Sequence, residues 1–379
     1  MPDLRPIELL DAEQLTPRLS ELRLRSAALG RETKVRVLAP SAATSADAAG
    51  LPVLFLLHGG GSDSDHSNWT ECGSVEALTD GLPLLVVMPD GGNGGWYSDW
   101  LRPNSAEGTQ RWEQYHIGEL LPFVVSHFGS RTDRAGTAVA GLSMGGFGAV
   151  HYATRHPDLF GFTAAFSGAV DIRHPGIGRV VRVSPEIMGG RRGDIFGDHV
   201  ADEAVWRAAN PVDLAANLAT VEVELRTGNG GRGGLHGDGP EGDTQELGVS
   251  QATANLHRRL DDLGIAHVYD DYGPGAHTWP YWKAALAASL ERIVGVARER
   301  RAIPAWVEHL AYEPRFSVWG HDVVLDREEL APIVLTIGPD GCALRGDLAC
   351  RGRITTPAGE VLEVEVSNVH VRSFPHLGV

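Results

Sequence analysis

The chain has 379 residues, an apolar fraction of 42% and a formal net charge of −16 from 33 basic and 49 acidic residues. That suffices for one large domain with or without a small companion, and it excludes intrinsic disorder. The acidic excess repels phosphate backbones and anionic headgroups, so nucleic acid and membrane surfaces are set aside as partners.

No apolar run approaches the roughly 18 residues of a membrane span. The opening MPDLRPIELLDAEQL lacks the basic start and apolar core of an export leader. The expectation is a cytoplasmic protein, or a secreted one if a leader has been removed. Cys72, Cys342 and Cys350 form no CxxC pair and no disulfide framework. They read as idle or buried thiols.

In chain order, strands are predicted at KVRVLAP (34–40), LPVLFLL (51–57), LPLLVVMP (82–89) and GTAVAG (136–141). FTAAFSG (162–168), VEVELRTG (221–228) and IAHVYDDYG (265–273) complete the set. Near-continuous apolar runs suit a parallel sheet covered on both faces. Helices are predicted at QYHIGELLPFVVSHF (114–128), at GAVHYATRHP (148–157), at ANLHRRLDDLG (254–264) and from WPYWKAALAASLERIVGVARERR onward. The alternation predicts an α/β doubly wound, mostly parallel sheet. Near residue 301 the texture changes to short strands with turns at PDG (339–341) and PAGE (357–360), and VLEVEV (361–366) alternates apolar and acidic residues. This divides the chain into a main body over 1–301 and a β-rich appendage over 302–379.

Gly141-Leu142-Ser143-Met144-Gly145 fits G-x-S-x-G between a predicted strand and a predicted helix. At such an elbow, side chains two residues either side of the serine would strike neighbouring backbone, and glycine removes the collision. Ser143 is then exposed at a helix N-terminus, where developing negative charge is stabilised. Gly146 and Gly148 are expected to let the helix pack closely on the sheet. A serine hydroxyl needs a base, and the base an orienting acid. Of 16 histidines, His277 in GPGAHTWPYW follows the last predicted strand at the carboxyl edge of the sheet. His267 falls inside a predicted strand and His257 on a helix, where they read as satisfied or solvated rings. The acid is expected from residues 229–246, which offer Asp238, Glu241, Asp243 and Glu246, with Asp171 more remote. Asp243 and Glu246 stand near parity, because Asp243-Thr-Gln-Glu246 also has capping-box spacing.

His58-Gly59-Gly60-Gly61 follows the strand at 51–57, and its glycines allow backbone N–H groups to approach a substrate carbonyl. The N–H groups of Gly60 and Met144 are the expected oxyanion donors. No G-x-x-x-x-G-K-[ST] accompanies the segment, so a phosphate loop is set aside. Asp63-Ser-Asp65-His66 lacks the glycine and terminal glutamate of a calcium loop, and neither metal nor cofactor is expected. Trp96 and Tyr97, in PDGGNGGWYSDW, together with Trp279 and Trp282 could form an aromatic wall for an acyl chain or sugar ring, or else fill the core.

The stretches LLHGGG, PDGGNGGWYSDW, GLSMGG, DIFGDHVADEAVWRAANP and AHTWPYW resemble α/β-hydrolases of the esterase D type and, within them, the mycolyltransferases. The resemblance spans about residues 20–295. It implies Ser143 as nucleophile, His277 as base, a glutamate at the start of the helix after the seventh strand as acid, which lands on Glu246, and Gly60 and Met144 as oxyanion donors. It implies a serine carboxylesterase acting on a small-molecule, lipid or sugar acyl ester, or an acyltransferase passing the chain to a sugar or alcohol. A non-catalytic binding module on the same scaffold is the remaining reading.

Overall fold

The computed structural model describes residues 7–41, 50–61, 64–131, 133–237 and 242–368. Asp63, Asp238 and Glu241 lie outside these. The main body is built on a nine-stranded sheet. Its first strands are β1 (Glu8–Gln14), β2 (Leu19–Ser26), β3 (Arg31–Leu38), β4 (Val53–Leu57) and β5 (Leu85–Pro89). A separate two-stranded ribbon follows, β6 (Asp99–Ser105) with β7 (Gly108–Arg111). The large sheet resumes with β8 (Thr137–Leu142), β9 (Phe162–Phe166), β10 (Glu222–Thr227) and β11 (Val268–Asp271).

The strand order is β1-β2-β3-β5-β4-β8-β9-β10-β11. The ladders from β1 to β5 are antiparallel, and those from β5 through β4 to β11 are parallel. The apolar runs divide their side chains between two cores. Val53, Phe55 and Leu57 of β4 face one, Leu54 and Leu56 the other, and Val87 and Val86 of β5 do the same. Both faces are covered, which is why these strands carry no polar alternation.

The helices are α1 (Asn68–Glu71), α2 (Val75–Leu78), α3 (Leu121–Phe128), α4 (Met144–Arg155), α5 (Pro175–Val183), α6 (Glu203–Ala209), α7 (Thr244–Asp262) and α8 (Trp279–Glu299). Residues Gln114–Leu120, expected as α-helix, form a wider π-helical stretch leading into α3. α7 begins well before the predicted residue 254, because the Asp243 side chain accepts from the N–H groups of Gln245 and Glu246 and starts the helix there. The apolar face of α8, with Leu286, Leu290 and Ile293, fills the second core.

Beyond the main body, β12 (Val307–Ala311), β13 (Arg315–Val318), β14 (His321–Leu325), β15 (Ile333–Gly338), β16 (Gly341–Gly346), β17 (Cys350–Thr355) and β18 (Val361–Asn368) form a second sheet with its own apolar cluster around Val323, Ile333, Leu335 and Ile354. The Asn217 side chain docks it by pairing with both backbone groups of Leu310, at 2.8 and 2.9 Å. Arg155 of α4 bridges Glu113 and Glu313 across the same seam.

Candidate active site

Ser143 joins β8 to α4 with φ 54° and ψ −117°, a conformation that costs a side-chain-bearing residue on the order of 1–3 kcal/mol. The surrounding backbone holds it there: Ser143 N–H donates to Phe166 at 3.0 Å, and its carbonyl accepts from Phe147 and Ala169, each at 3.1 Å. A Cβ on Gly141 would lie 2.3 Å from the Gly145 carbonyl oxygen, and one on Gly145 would lie 2.4 Å from that of His58. These two glycines are therefore required by backbone contact. Gly146 abuts Gly168 at the end of β9, as expected of sheet packing, but Gly148 faces the Tyr97 ring instead.

The loop between β11 and α8 brings His277 over this turn. Its Nε2 is 2.9 Å from Ser143 Oγ, and its Nδ1 is 2.7 Å from Glu246 Oε2. Glu246 lies in the first turn of α7 and is fully buried. Its other oxygen, Oε1, accepts from the Gly228 N–H at 2.7 Å, Ser167 Oγ at 2.9 Å and Thr227 Oγ1 at 3.3 Å. Three donors thus hold this oxygen and fix the carboxylate in place. Burial, reinforced by the negative charge of Glu246, raises the pKa of the nearby Tyr272 hydroxyl. Asp243 does not meet the imidazole. Its Oδ1 caps α7, and its Oδ2 accepts the backbone N–H of His277 at 2.8 Å. Asp171 is engaged with Asn210 and Asn255, away from His277.

The segment His58–Gly61 passes directly beside the elbow. A Cβ on Gly59 would stand 3.6 Å from Ser143 Cβ, and one on Gly60 would stand 3.5 Å from Met144 Cβ. Met144 is the first residue of α4, so its N–H has no carbonyl one turn earlier to serve. His58, grouped with the substrate contacts in the sequence, is instead a brace. Its buried ring places Nδ1 2.7 Å from the Gly59 carbonyl, and its Nε2 accepts the Gly91 N–H at 2.8 Å. Gly61 N–H donates to the Asn93 carbonyl at 2.8 Å. Two glycine-rich loops are thereby tied together.

The aromatic wall is corrected in part. Trp96 and Tyr97 are core residues, 4% and 0% exposed. Trp96 meets Phe147 edge-on, and the Tyr97 hydroxyl donates to the His58 carbonyl at 2.8 Å. Large rings beside glycines fill space between loop and sheet, and that packing won over solvent-facing display. Trp282 meets the His277 ring edge-on at 4.9 Å, and Trp279 packs on Trp69 and Trp282, each at 5.3 Å. Trp279 stays partly exposed, whereas Trp282 is 8% exposed and belongs to the second core, so it too is a packing residue behind His277. His66 pairs with Glu21 at 3.2 Å, and Asp65 turns back on the Ser67 N–H. Cys72 is exposed, while Cys342 and Cys350 are half-buried in the appendage.

Ser167, Thr227 and Gly228 were not singled out from the sequence. The available signal was position, since they end β9 and β10 at the same carboxyl edge as Ser143. Among the described residues no helix is long and apolar enough to cross a membrane.

A family model described as "Putative esterase" matches residues 26–293. Esterase Rv1288 of Mycobacterium tuberculosis (strain ATCC 25618 / H37Rv) is 32% identical over 277 residues, which are 72% of this chain and 58% of that protein. This chain thus spans less than two thirds of that relative. The diacylglycerol acyltransferase/mycolyltransferase Ag85A of Mycobacterium gordonae is 28% identical over 284 residues, 70% of this chain and 77% of its own. Among solved structures, Mycobacterium tuberculosis MPT51 (FbpC1) superposes with a TM-score of 0.60 at 23% identity, covering 78% of this chain and 100% of that one. This last likeness shows the fold of an α/β-hydrolase sheet, to which this chain adds the β12–β18 sheet on its C-terminal side. By its match over most of its length, this chain belongs to the putative esterase family.

Proposed function

We propose that the chain is a serine carboxylic ester hydrolase with a Ser143–His277–Glu246 triad. The observation that carries this reading is the continuous path from Ser143 Oγ through both ring nitrogens of His277 to Glu246, with steps of 2.9 and 2.7 Å. Ser143 Oγ attacks the ester carbonyl carbon, and His277 Nε2 takes its proton. Glu246 holds Nδ1–H, fixes the tautomer and stabilises the imidazolium. The carbonyl oxygen becomes an oxyanion held by the Gly60 and Met144 N–H groups, each donor contributing roughly a hundred- to thousand-fold in rate. Collapse breaks the C–O bond to the alcohol, which leaves with the proton from His277. Water, deprotonated by the same ring, then attacks the acyl-enzyme and releases the acid.

In this reading Trp279 is the aromatic residue that borders the bound ester, and the catalytic unit is residues 1–301, with the β-rich unit β12–β18 following it. The similarity to Ag85A supports a second reading, in which a sugar or alcohol replaces water at the acyl-enzyme. A purely binding role fits poorly, since a binding module has no need of a strained serine aligned with a base and an acid.

A fluorophosphonate probe tests the first step, with wild type labelled and Ser143→Ala not. Failure to label folded wild type would overturn the catalytic reading. A p-nitrophenyl ester series of increasing acyl length, run with and without trehalose, separates the free acid of hydrolysis from the sugar ester of transfer.

A further inference from the structure

We propose that His257, Asp261 and His267 bind a divalent transition-metal cation of the zinc type. The site lies where the C-terminal end of α7 meets the entry to β11. One ligand atom from each residue lies within 4.8 Å of the other two. His257 and Asp261 are one turn apart on α7 and share a face. His267 is returned to them by the turn after α7, where Gly264 adopts φ 66° and the Ile265 N–H closes on the Leu260 carbonyl at 2.9 Å.

The hydrogen bonding of the cluster calls for a cation. His267 Nδ1 is 2.8 Å from the Ile265 carbonyl, an acceptor only, so Nδ1 carries the hydrogen and Nε2 presents its lone pair. That lone pair points at His257 Nδ1, 2.8 Å away. The opposite nitrogen of His257 faces Asp261 Oδ2 at 3.4 Å. A neutral imidazole has one N–H and cannot serve a lone pair and a carboxylate at once. The arrangement is completed either by a second N–H on His257 or by a metal ion that takes His257 Nδ1, His267 Nε2 and an Asp261 oxygen together, and the mutual reach of these three atoms is what favours the metal.

The carbonyl behind His267 is the kind of outer partner that orients a ligating imidazole, and His257 is held flat against Tyr269 at 4.1 Å. Two imidazoles and one carboxylate suit zinc-like ions rather than calcium or magnesium. Tetrahedral binding sets the two nitrogens about 3.3 Å apart. The His257 side chain is 28% exposed, and a small in-plane rotation over Tyr269 would open the 2.8 Å separation to that value. Asp261 is 61% exposed at its side chain and His267 4%, so the remaining coordination position faces water. The site lies about 16 Å along α7 from Glu246 at 1.5 Å per residue, and it is independent of the hydrolytic reading.

The test is a Zn²⁺ titration of chelator-stripped protein against a chromophoric competitor, paired with thermal melts. Wild type is expected to bind one equivalent and to melt at a higher temperature with Zn²⁺. His267→Ala and His257→Gln should each weaken that binding by more than the about 10–100-fold typical of losing an outer partner, and Asp261→Asn by about 10-fold. His257→Gln alters only a half-exposed ring, so its fold, checked by the melt in chelator, provides a reading even if His267→Ala does not fold. Unchanged stoichiometry and affinity in His257→Gln, or no competitor-resistant Zn²⁺ in wild type, would overturn the proposal.

Discussion

The second carboxylate oxygen of Asp243 accepts the backbone N–H of His277 at 2.8 Å, while the first caps α7 on the Gln245 and Glu246 N–H groups at 3.1 and 3.0 Å. One side chain thus couples the helix that carries Glu246 to the loop that carries His277.

Asp243→Asn separates the two roles. Asparagine is as good a cap as aspartate, but with its oxygen on the cap its NH₂ meets the His277 N–H, donor against donor. We expect kcat to fall about 10- to 100-fold with KM little changed, since about 1 Å of misplacement costs roughly a hundred-fold. The melting temperature should stay within a few degrees. Full kcat in this variant would show that the contact does not position the base.

Ser143→Ala should abolish p-nitrophenyl ester turnover and fluorophosphonate labelling while leaving the fold intact. Glu246→Gln should cut kcat by about ten-thousand-fold, as loss of the orienting acid does in other triads. If Asp243→Asn is the more damaging of the two carboxamide variants, the acid is Asp243.

Two glycines of the site should respond differently to a methyl group. In Gly145→Ala the new Cβ meets two backbone carbonyls, those of His58 at 2.4 Å and Leu57 at 2.5 Å, so unfolding in urea should register a loss of about 3 kcal/mol or more. In Gly60→Ala the nearest atom is the flexible Met144 Sδ at 3.3 Å. That variant should lose less than about 1 kcal/mol, with its effect confined to kcat. Equal losses in both would mean that the elbow is looser than its contacts imply.

Acid stability offers a fourth check. Burial, with the positive charges of His156 and Arg155, pushes the His309 imidazole down to about 3, and burial pushes His116 down to about 4. Between their ordinary value near 6.5 and these depressed values, the unfolded chain binds the protons and the folded chain does not. Stability therefore rises with pH there and is lost as pH falls below about 6.5, at up to about 1.4 kcal/mol per pH unit for each group. His309→Leu should flatten the dependence between pH 6 and pH 4 (about one group's share of the slope), measured by urea unfolding at each pH. An unchanged slope would mean that His309 takes up its proton in the folded state.

The fold class was legible because both faces of the sheet are buried, so β4, β5, β8 and β9 read as unbroken apolar runs. β1 and β2 went unread, as their exposed faces are charged and it is neighbouring strands that make them strands, β2 for β1 and β3 for β2. The Glu8-to-Gln14 stretch contains mostly exposed side chains, and no local pattern marks it. α5 and α6 were missed because they are short, 9 and 7 residues, and α5 contains Gly176 and Gly178, which count against a helix locally.

The elbow at Ser143 was written in the sequence, because its steric demands fall on Gly141 and Gly145, two residues either side. The expectation of an oxyanion loop at His58–Gly61 had the same local origin. Choosing between Asp243 and Glu246 was not open to local reasoning. Both begin the same helix, and the choice depends on Ser167, Gly228 and His277, which lie 79, 18 and 31 residues from Glu246 in the chain. Likewise Trp96 and Tyr97 have side chains equally suited to a wall or a core, and only packing against Phe147, Gly148 and His58 put them inside. Sterics and periodicity act between near neighbours and are carried by composition and spacing. Which polar groups are brought together, and which rings are buried, follows from contacts closed across the sheet.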